Sequence, residues 1–331
     1  MENLRADKIS EWIHGTLTGN KNAVVNKVST NIRSLEQGSM FFAIRTKEYD
    51  GHQHLNTAIE NGAAIVVSET GFPVRYGCAV ILVEDTVKAL GDLARRYMET
   101  FSIPVICITG SAGKATTGEM IAQVLSTQYN VHKTMGIPNN DIELSISVLG
   151  LTRAHTAAVF ELGINDVDGI KHKSIIIQPN MAVITNIGVS HIDKPGSRQN
   201  ILRANLDIIQ GMKENGRLIL NGDDELLSGL NGLLPIPVTF YGINEAIPLH
   251  AFGIESLGEE GVRFTVNILN EDVEITLSVP GLHEVSDALA AIACGIELGI
   301  TNENIKKGLA FNFQEKMRMS IIQYNKVKIK I

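Results

Sequence analysis

Only three cysteines occur in the 331 residues, Cys78, Cys107 and Cys294, and none stands at CxxC or Cys/His metal-ligand spacing from another. No disulfide framework or zinc motif is written in the chain, and the three read as buried, reduced core thiols. Positive charge is also sparse: 29 Lys and Arg stand against 36 Asp and Glu, for a formal net charge of -7. With no basic run and no aromatic-basic interleaving, nucleic acid is not an expected partner. No stretch approaches membrane-spanning length, and the start Met1-Glu2-Asn3-Leu4-Arg5-Ala6-Asp7 lacks a basic segment followed by an apolar one. A cytoplasmic protein without membrane insertion is expected. Internal repeats and low-complexity segments are absent, and without a G-x-G-x-x-G the dinucleotide-binding reading has little support.

At 44% apolar and 20% charged residues, the chain has room for two or three domains with sizeable cores. Its most informative stretch is Val105-Ile106-Cys107-Ile108-Thr109-Gly110-Ser111-Ala112-Gly113-Lys114-Ala115-Thr116-Thr117, an apolar strand, a glycine turn with a lysine, and a helix start. Gly110 and Gly113 permit a tight turn that aims N–H groups inward, while the helix N-terminus and Lys114 add positive charge. Such a loop holds polyphosphate. By the general pattern G-x-x-x-x-G-K-[ST] it departs twice, at Ile108 and at Ala115, where a Mg2+-binding hydroxyl is usual. Hydroxyls follow only at Thr116 and Thr117.

The expected fold class is α/β. Residues 1–80 read as a small α/β domain, with helices near Ile9–Gly15 and Leu55–Asn61 and strands at Val24–Val28, Met40–Ile44 and Ala64–Val67. A strand at Ala79–Val83 leads into a helix over Asp85–Phe101, apolar at Val87, Leu90, Leu93 and Ala94, that bridges toward the next domain. Residues 81–313 read as a central phosphate-loop domain: the apolar strands Val105–Ile108, Ala157–Phe160, Met181–Ile184 and Arg217–Leu220 alternate with helices, as in a mostly parallel sheet covered on both faces. An antiparallel segment follows over Val262–Leu277, turning at Asn270-Glu271-Asp272, then an alanine-rich helix over Asp287–Leu298. Residues 314–331 form a short strand-like end.

Ligands of such sheets gather at the C-terminal strand ends. There stand Glu161-Leu162-Gly163 and Thr185-Asn186-Ile187-Gly188-Val189-Ser190-His191. A carboxylate there can hold Mg2+ against phosphates, and a histidine can orient a ligand. Singly, Glu161 reads as a turn cap and His191 as a solvated loop residue; beside the phosphate loop both gain a functional reading. Gly136-Ile137-Pro138-Asn139-Asn140-Asp141 reads as a helix cap, and His52-Gln53-His54 lacks a third partner at metal spacing.

Taken in order, these motifs resemble those of the Mur ligases, ATP-dependent amide-forming enzymes of peptidoglycan assembly, and within them the D-alanyl-D-alanine-adding branch. The resemblance runs through Val28–Arg33, Gly38–Ile44, Asp50-Gly51-His52, Thr109–Lys114, Asn139–Ile142, Glu161-Leu162-Gly163, Ile184–Gly188 with His191, and Pro280-Gly281-Leu282-His283. It implies an N-terminal domain for a UDP-linked muramoyl peptide, a central ATP- and Mg2+-binding domain, and a C-terminal domain delivering D-Ala-D-Ala, of which 314–331 would be the start. Carried over by position, Gly110, Ser111, Ala112, Gly113, Lys114, Ala115 and Thr116 would form the phosphate site, and His283 and Asp287 would flank the adenine. Glu161 would bind Mg2+, with His191 supporting a second metal. Lys114, Asn140 and His191 would serve the chemistry, and Arg33, Asp50, Gly51 and His52 the UDP-sugar. A monomer is expected.

Departures cluster at these same functions. Ala115 replaces the metal-binding Thr, Asn205 replaces the lysine whose carbamate bridges metals, and Asp287 replaces the adenine-side Asn. Asn31-Ile32-Arg33 stands for Asp-Ser-Arg, and Glu143 for a glycine. Three readings follow: an active ligase of this branch, a catalytically degenerate protein that binds nucleotide or a partner, and a ligase for another carboxylate.

Overall fold

The computed structural model describes residues 1–71, 77–134, 140–163, 169–188 and 197–311, with the backbone of 321–324 and 327–330. The chain folds into two compact units. One comprises residues 1–102, 138–154 and 175–178, the other 103–137, 155–174 and 179–331. The helix read from sequence as a bridge, observed over Thr86–Met98, groups with the first unit, not with the second domain expected to begin at residue 81.

In the first unit a five-stranded sheet runs in the order Thr16–Gly19, Ala79–Leu82, Ile65–Ser68, Met40–Phe42, Val28–Ser29. The first pair is antiparallel and the others are parallel. Met40–Phe42 and Ile65–Ser68 are buried at every position, as strands covered on both faces must be. The Thr86–Met98 helix begins at Asp85, whose carboxylate accepts from the N–H groups of Val87 and Lys88, and it buries Leu90, Leu93 and Ala94 as its period requires. Tyr97 extends that stripe, and its hydroxyl donates to the Leu151 carbonyl at 2.7 Å.

A nine-stranded sheet organises the second unit, in the order Glu271–Leu277, Val262–Ile268, Leu249–Ser256, Val238–Gly242, Arg217–Asn221, Met181–Ile184, Val105–Thr109, Ala157–Glu161, Val131–Lys133. From Leu249–Ser256 to Val131–Lys133 neighbours are parallel, and the other two pairs are antiparallel. The expected antiparallel segment therefore extends the main sheet. Leu249–Ser256 joins the two parts and is not legible in sequence. A register shift between Phe252 and Glu255 breaks its alternation, and Gly253 between them has positive φ. The hairpin turn falls at Leu269-Asn270, both with positive φ, so Glu271 and Asp272 belong to the strand instead of the turn.

One face of this sheet packs against the helices Lys114–Ser126 and Leu282–Glu297, whose Met120, Ile121, Val124, Leu289, Ile292 and Cys294 lie in one buried cluster. The alanine-rich helix starts five residues earlier than expected, because Gly281 (φ 129°) turns the chain into it directly after Pro280. His283 and Asp287 thus occupy one helix, one turn apart. Ile321–Tyr324 and Val327–Lys330 pair antiparallel. No helix among the described residues is long and apolar enough to cross a membrane.

Candidate active site

The strand Val105–Thr109 is buried throughout and flanked by parallel partners, so its C-terminal end is fixed in the middle of the sheet. There Gly110 (φ 130°) and Gly113 (φ 79°) adopt conformations that other residues rarely hold. Gly113 is the N-cap of the Lys114–Ser126 helix with no side-chain cap, and no acidic residue occupies the first turn. The first N–H groups of the helix are therefore left for an external anion. Lys114 Nζ folds onto the loop and donates to the Gly110 carbonyl at 2.7 Å. Burial lowers its pKa, opposed by the nearby charge of Glu161.

Glu161 ends its strand at 2% exposure, beside the same helix turn: a Cβ on Gly118 would stand 3.1 Å from Glu161 Oε1. Lys133 Nζ lies 3.8 Å from that oxygen and 2.7 Å from Glu119 Oε2. Glu161 Oε2 is buried with no hydrogen-bond partner. Burial raises its pKa, against the attraction of Lys133 and Lys114. A buried carboxylate oxygen without a donor, within reach of a phosphate loop, suits a hard divalent cation. Neither Lys133 nor Glu119 was legible in the motifs; Lys133 ends an edge strand too short to read by periodicity.

Ala115 is exposed, Thr116 is half-buried, and Thr117 is fully buried. The hydroxyl of Thr117 donates to Asp287 Oδ1 at 2.7 Å, so it is engaged within the fold. Asp287 packs behind the loop, where a Cβ on Gly113 would lie 2.8 Å from Oδ1. His283 is exposed, with Nε2 3.3 Å from Glu284 Oε1. Asn205 is wholly buried: Thr109 Oγ1 donates to its Oδ1 at 2.8 Å, and its Nδ2 donates to the Ile201 carbonyl at 2.8 Å. A buried neutral amide, hydrogen-bonded to the protein through both its oxygen and its nitrogen, does not fit a metal-bridging role. His191 and Asn139 lie outside the described residues, and no cluster of three metal-ligating side chains occurs among those described.

Within the first unit, Arg33 and Asn140 line one cavity of about 580 Å3, with Tyr49, His54 and Glu143. Tyr49 and His54 stack there at 5.5 Å between ring centres. Asn140 caps the helix Asp141–Leu149 by accepting from Glu143 N–H at 2.9 Å. The Asp50-Gly51-His52 turn does not line this cavity. Asp50 Oδ1 accepts from His52 N–H at 3.0 Å and lies 2.8 Å from His52 Nδ1, while His52 Nε2 accepts from Glu69 N–H at 3.1 Å. The acceptor role of Nε2 places the ring proton on Nδ1, which donates to Asp50. A Cβ on Gly51 would stand 2.9 Å from the Ala43 backbone. The three residues thus hold the turn together and brace it against Ala43 and Glu69, a use that the substrate reading did not anticipate.

A parallel sheet with a glycine-lysine loop at its centre and a carboxylate on the adjoining strand defines a nucleotide-dependent phosphoryl-transfer site. The Mur ligase middle domain matches residues 108–295, and the Mur ligase family catalytic domain matches 24–98. The chain belongs to the Mur ligase family. It is 39% identical over 320 residues to the UDP-N-acetylmuramoyl-tripeptide--D-alanyl-D-alanine ligase of Bacillus subtilis, covering 95% of this chain and 68% of that protein. A crystal structure of MurF from Acinetobacter baumannii superposes with a TM-score of 0.91 at 29% identity, covering 100% of this chain and 73% of that one. MurF from Thermotoga maritima in complex with ADP gives a TM-score of 0.76 at 26% identity, covering 85% and 65%. The chain thus spans roughly two thirds of the proteins it matches.

Proposed function

We propose that the protein is an ATP-dependent ligase that joins D-alanyl-D-alanine to a UDP-N-acetylmuramoyl-tripeptide. The observation that carries this reading is the uncapped helix N-terminus at Gly113, with Lys114 folded over a braced glycine loop. The tripeptide carboxylate attacks the γ-phosphorus of ATP and ADP leaves, forming an acyl phosphate. The amine of D-Ala-D-Ala then attacks the acyl carbon, and phosphate leaves. Gly110–Lys114 and the first-turn N–H groups hold the phosphates and stabilise the charge spread over the transferring group. The second unit is the ATP-binding part, with His283 and Asp287 toward the base. The first unit takes the UDP-sugar peptide, with Arg33 as its contact and Asn140, on the same cavity, serving the chemistry.

Glu161 would hold Mg2+, which when bound would neutralise charge on the phosphates, and the unpartnered Oε2 supports that assignment. His191 is proposed as a further metal residue from its position in the motif. No bridging carbamate is included, because Asn205 has no amine to carbamylate and its amide is hydrogen-bonded to the protein through both oxygen and nitrogen. That same observation, with Ala115, favours a second reading: nucleotide binding without turnover.

Phosphate release from ATP, measured with UDP-muramoyl-tripeptide, D-Ala-D-Ala and Mg2+, separates the two. Release that requires both co-substrates is expected for the ligase. Tight ATP binding with no release would leave only the binding protein.

A further inference from the structure

The strand end Thr185–Gly188, which has no chemical task in the proposed ligase reaction, grips the phosphate loop by its peptide groups. Ala112 N–H donates to Asn186 Oδ1 at 3.1 Å, and the Ala112 carbonyl accepts from Asn186 Nδ2 at 3.1 Å and from Thr185 Oγ1 at 2.6 Å. Ser111 N–H donates to the Asn186 carbonyl at 3.0 Å, and Gly188 N–H donates to Ser111 Oγ at 2.9 Å. Gly110 approaches so closely that a Cβ there would stand 2.2 Å from Thr185 Oγ1.

The brace is itself anchored. Asn221 Nδ2 donates to the Thr185 carbonyl at 3.0 Å, Ile187 N–H donates to Asp224 Oδ2 at 2.8 Å, and Arg198 Nε donates to the Ile187 carbonyl at 2.9 Å. A neighbouring strand end, fixed on three sides, thus acts as a template for the loop.

A loop with two positive-φ glycines has wide conformational freedom when unsupported. Its N–H groups hold an anion well only if they are oriented beforehand, since ordering on binding subtracts from affinity. The Asn186 amide presents one acceptor and one donor at peptide-like spacing, so it pairs with Ala112 as an adjacent strand would. Thr185 adds a hydroxyl donor from below. Because Asn186 takes the Ala112 N–H, the donors that remain for phosphate are those of Gly113, the following helical turn and Lys114.

We propose that Thr185 and Asn186 are positioning residues for the phosphate chain of the nucleotide: they set the shape of the Gly110–Lys114 loop, and with it the affinity for triphosphate. This rests on the assignment of the loop to ATP. The test compares wild type with Thr185→Ser, Thr185→Val and Asn186→Ala. ATP affinity is read by calorimetry, adenosine and inorganic triphosphate by competition against ATP, and folding by thermal unfolding.

Thr185→Ser keeps the hydroxyl and is expected within twofold of wild type. Thr185→Val and Asn186→Ala each remove hydrogen bonds that hold the loop and should weaken ATP and triphosphate at least tenfold, with adenosine within twofold. Unchanged ATP affinity in both would overturn the proposal, and so would equal losses for adenosine and ATP, the mark of a general structural defect. Should Thr185→Val fail to fold, Asn186→Ala, on a partly exposed residue, carries the comparison. A wild-type protein that binds no ATP would instead overturn the nucleotide assignment itself.

Discussion

Thr117 Oγ1 donates to Asp287 Oδ1 at 2.7 Å and so ties the phosphate-loop helix to a helix 170 residues away in sequence. Asp287 is 7% exposed, and its pKa is raised to about 8, chiefly by burial; the Thr117 hydrogen bond works against that rise, and the charge of Glu284 adds to it. Near neutral pH the resting site therefore holds a protonated carboxyl behind the loop.

The sign of the resulting pH dependence follows from linkage. Between the ordinary carboxylate range and about 8, the folded protein retains a proton that the unfolded chain releases, so stability falls as pH rises through that window. Asp287→Asn removes the titration. The variant should exceed wild type in stability at pH 9 by on the order of a few kcal/mol, with the difference vanishing near pH 4. Urea unfolding at the two pH values checks this; a difference independent of pH would refute it.

Glu161→Gln keeps shape and loses charge. If Glu161 holds Mg2+, the gain in ATP affinity on adding Mg2+ should shrink by about tenfold or more, while affinity in EDTA stays level or rises. Folding stability should change little, since burial already disfavours the ionised carboxyl. Calorimetric titration with and without Mg2+ decides the matter, and an undiminished Mg2+ effect would remove Glu161 from the metal site.

Gly110→Ala forces a side chain into a backbone at φ 130° and into Thr185 Oγ1. Backbone strain alone costs roughly 1–3 kcal/mol. A fall in Tm of about 5 °C or more is expected for a unit of this size. The double variant Gly110→Ala with Thr185→Ala should recover part of that fall by removing the clash, and no recovery would mean the strain is wholly in φ.

The first unit offers a contrast between two residues assigned to the substrate from sequence. His52→Ala strands the Glu69 N–H and one acceptor of Asp50, at about 1–3 kcal/mol of stability. Arg33, exposed on the cavity, should affect binding and not folding. Arg33→Ala is expected to weaken binding of the UDP-muramoyl peptide about tenfold with unchanged unfolding, and folded His52→Ala to bind it nearly as wild type does. The reverse pattern in a substrate titration would return the turn to the binding site.

Much of the second unit was legible because its strands are buried on both faces and read as short apolar runs, with the glycine loop directly after one of them. Leu249–Ser256 escaped because a bulge interrupts its alternation, and Val131–Lys133 because three edge residues carry no period. In the site, Lys114 and Glu161 follow from local pattern, since each sits at the end of a recognisable element. Lys133, Thr185 and Asn186 act through contacts that no local spacing encodes.

The sequence by itself determined the family, the loop chemistry and the departures at Ala115, Asn205 and Asp287, because these depend on residue type and order. Only the tertiary structure decided what those departures do. Residues 109 and 205, and 117 and 287, meet through sheet order and helix packing. The Thr109 hydrogen bond, which makes Asn205 an internally bonded amide, and the burial, which makes Asp287 a proton-holding acid, come from neighbours far away in the chain.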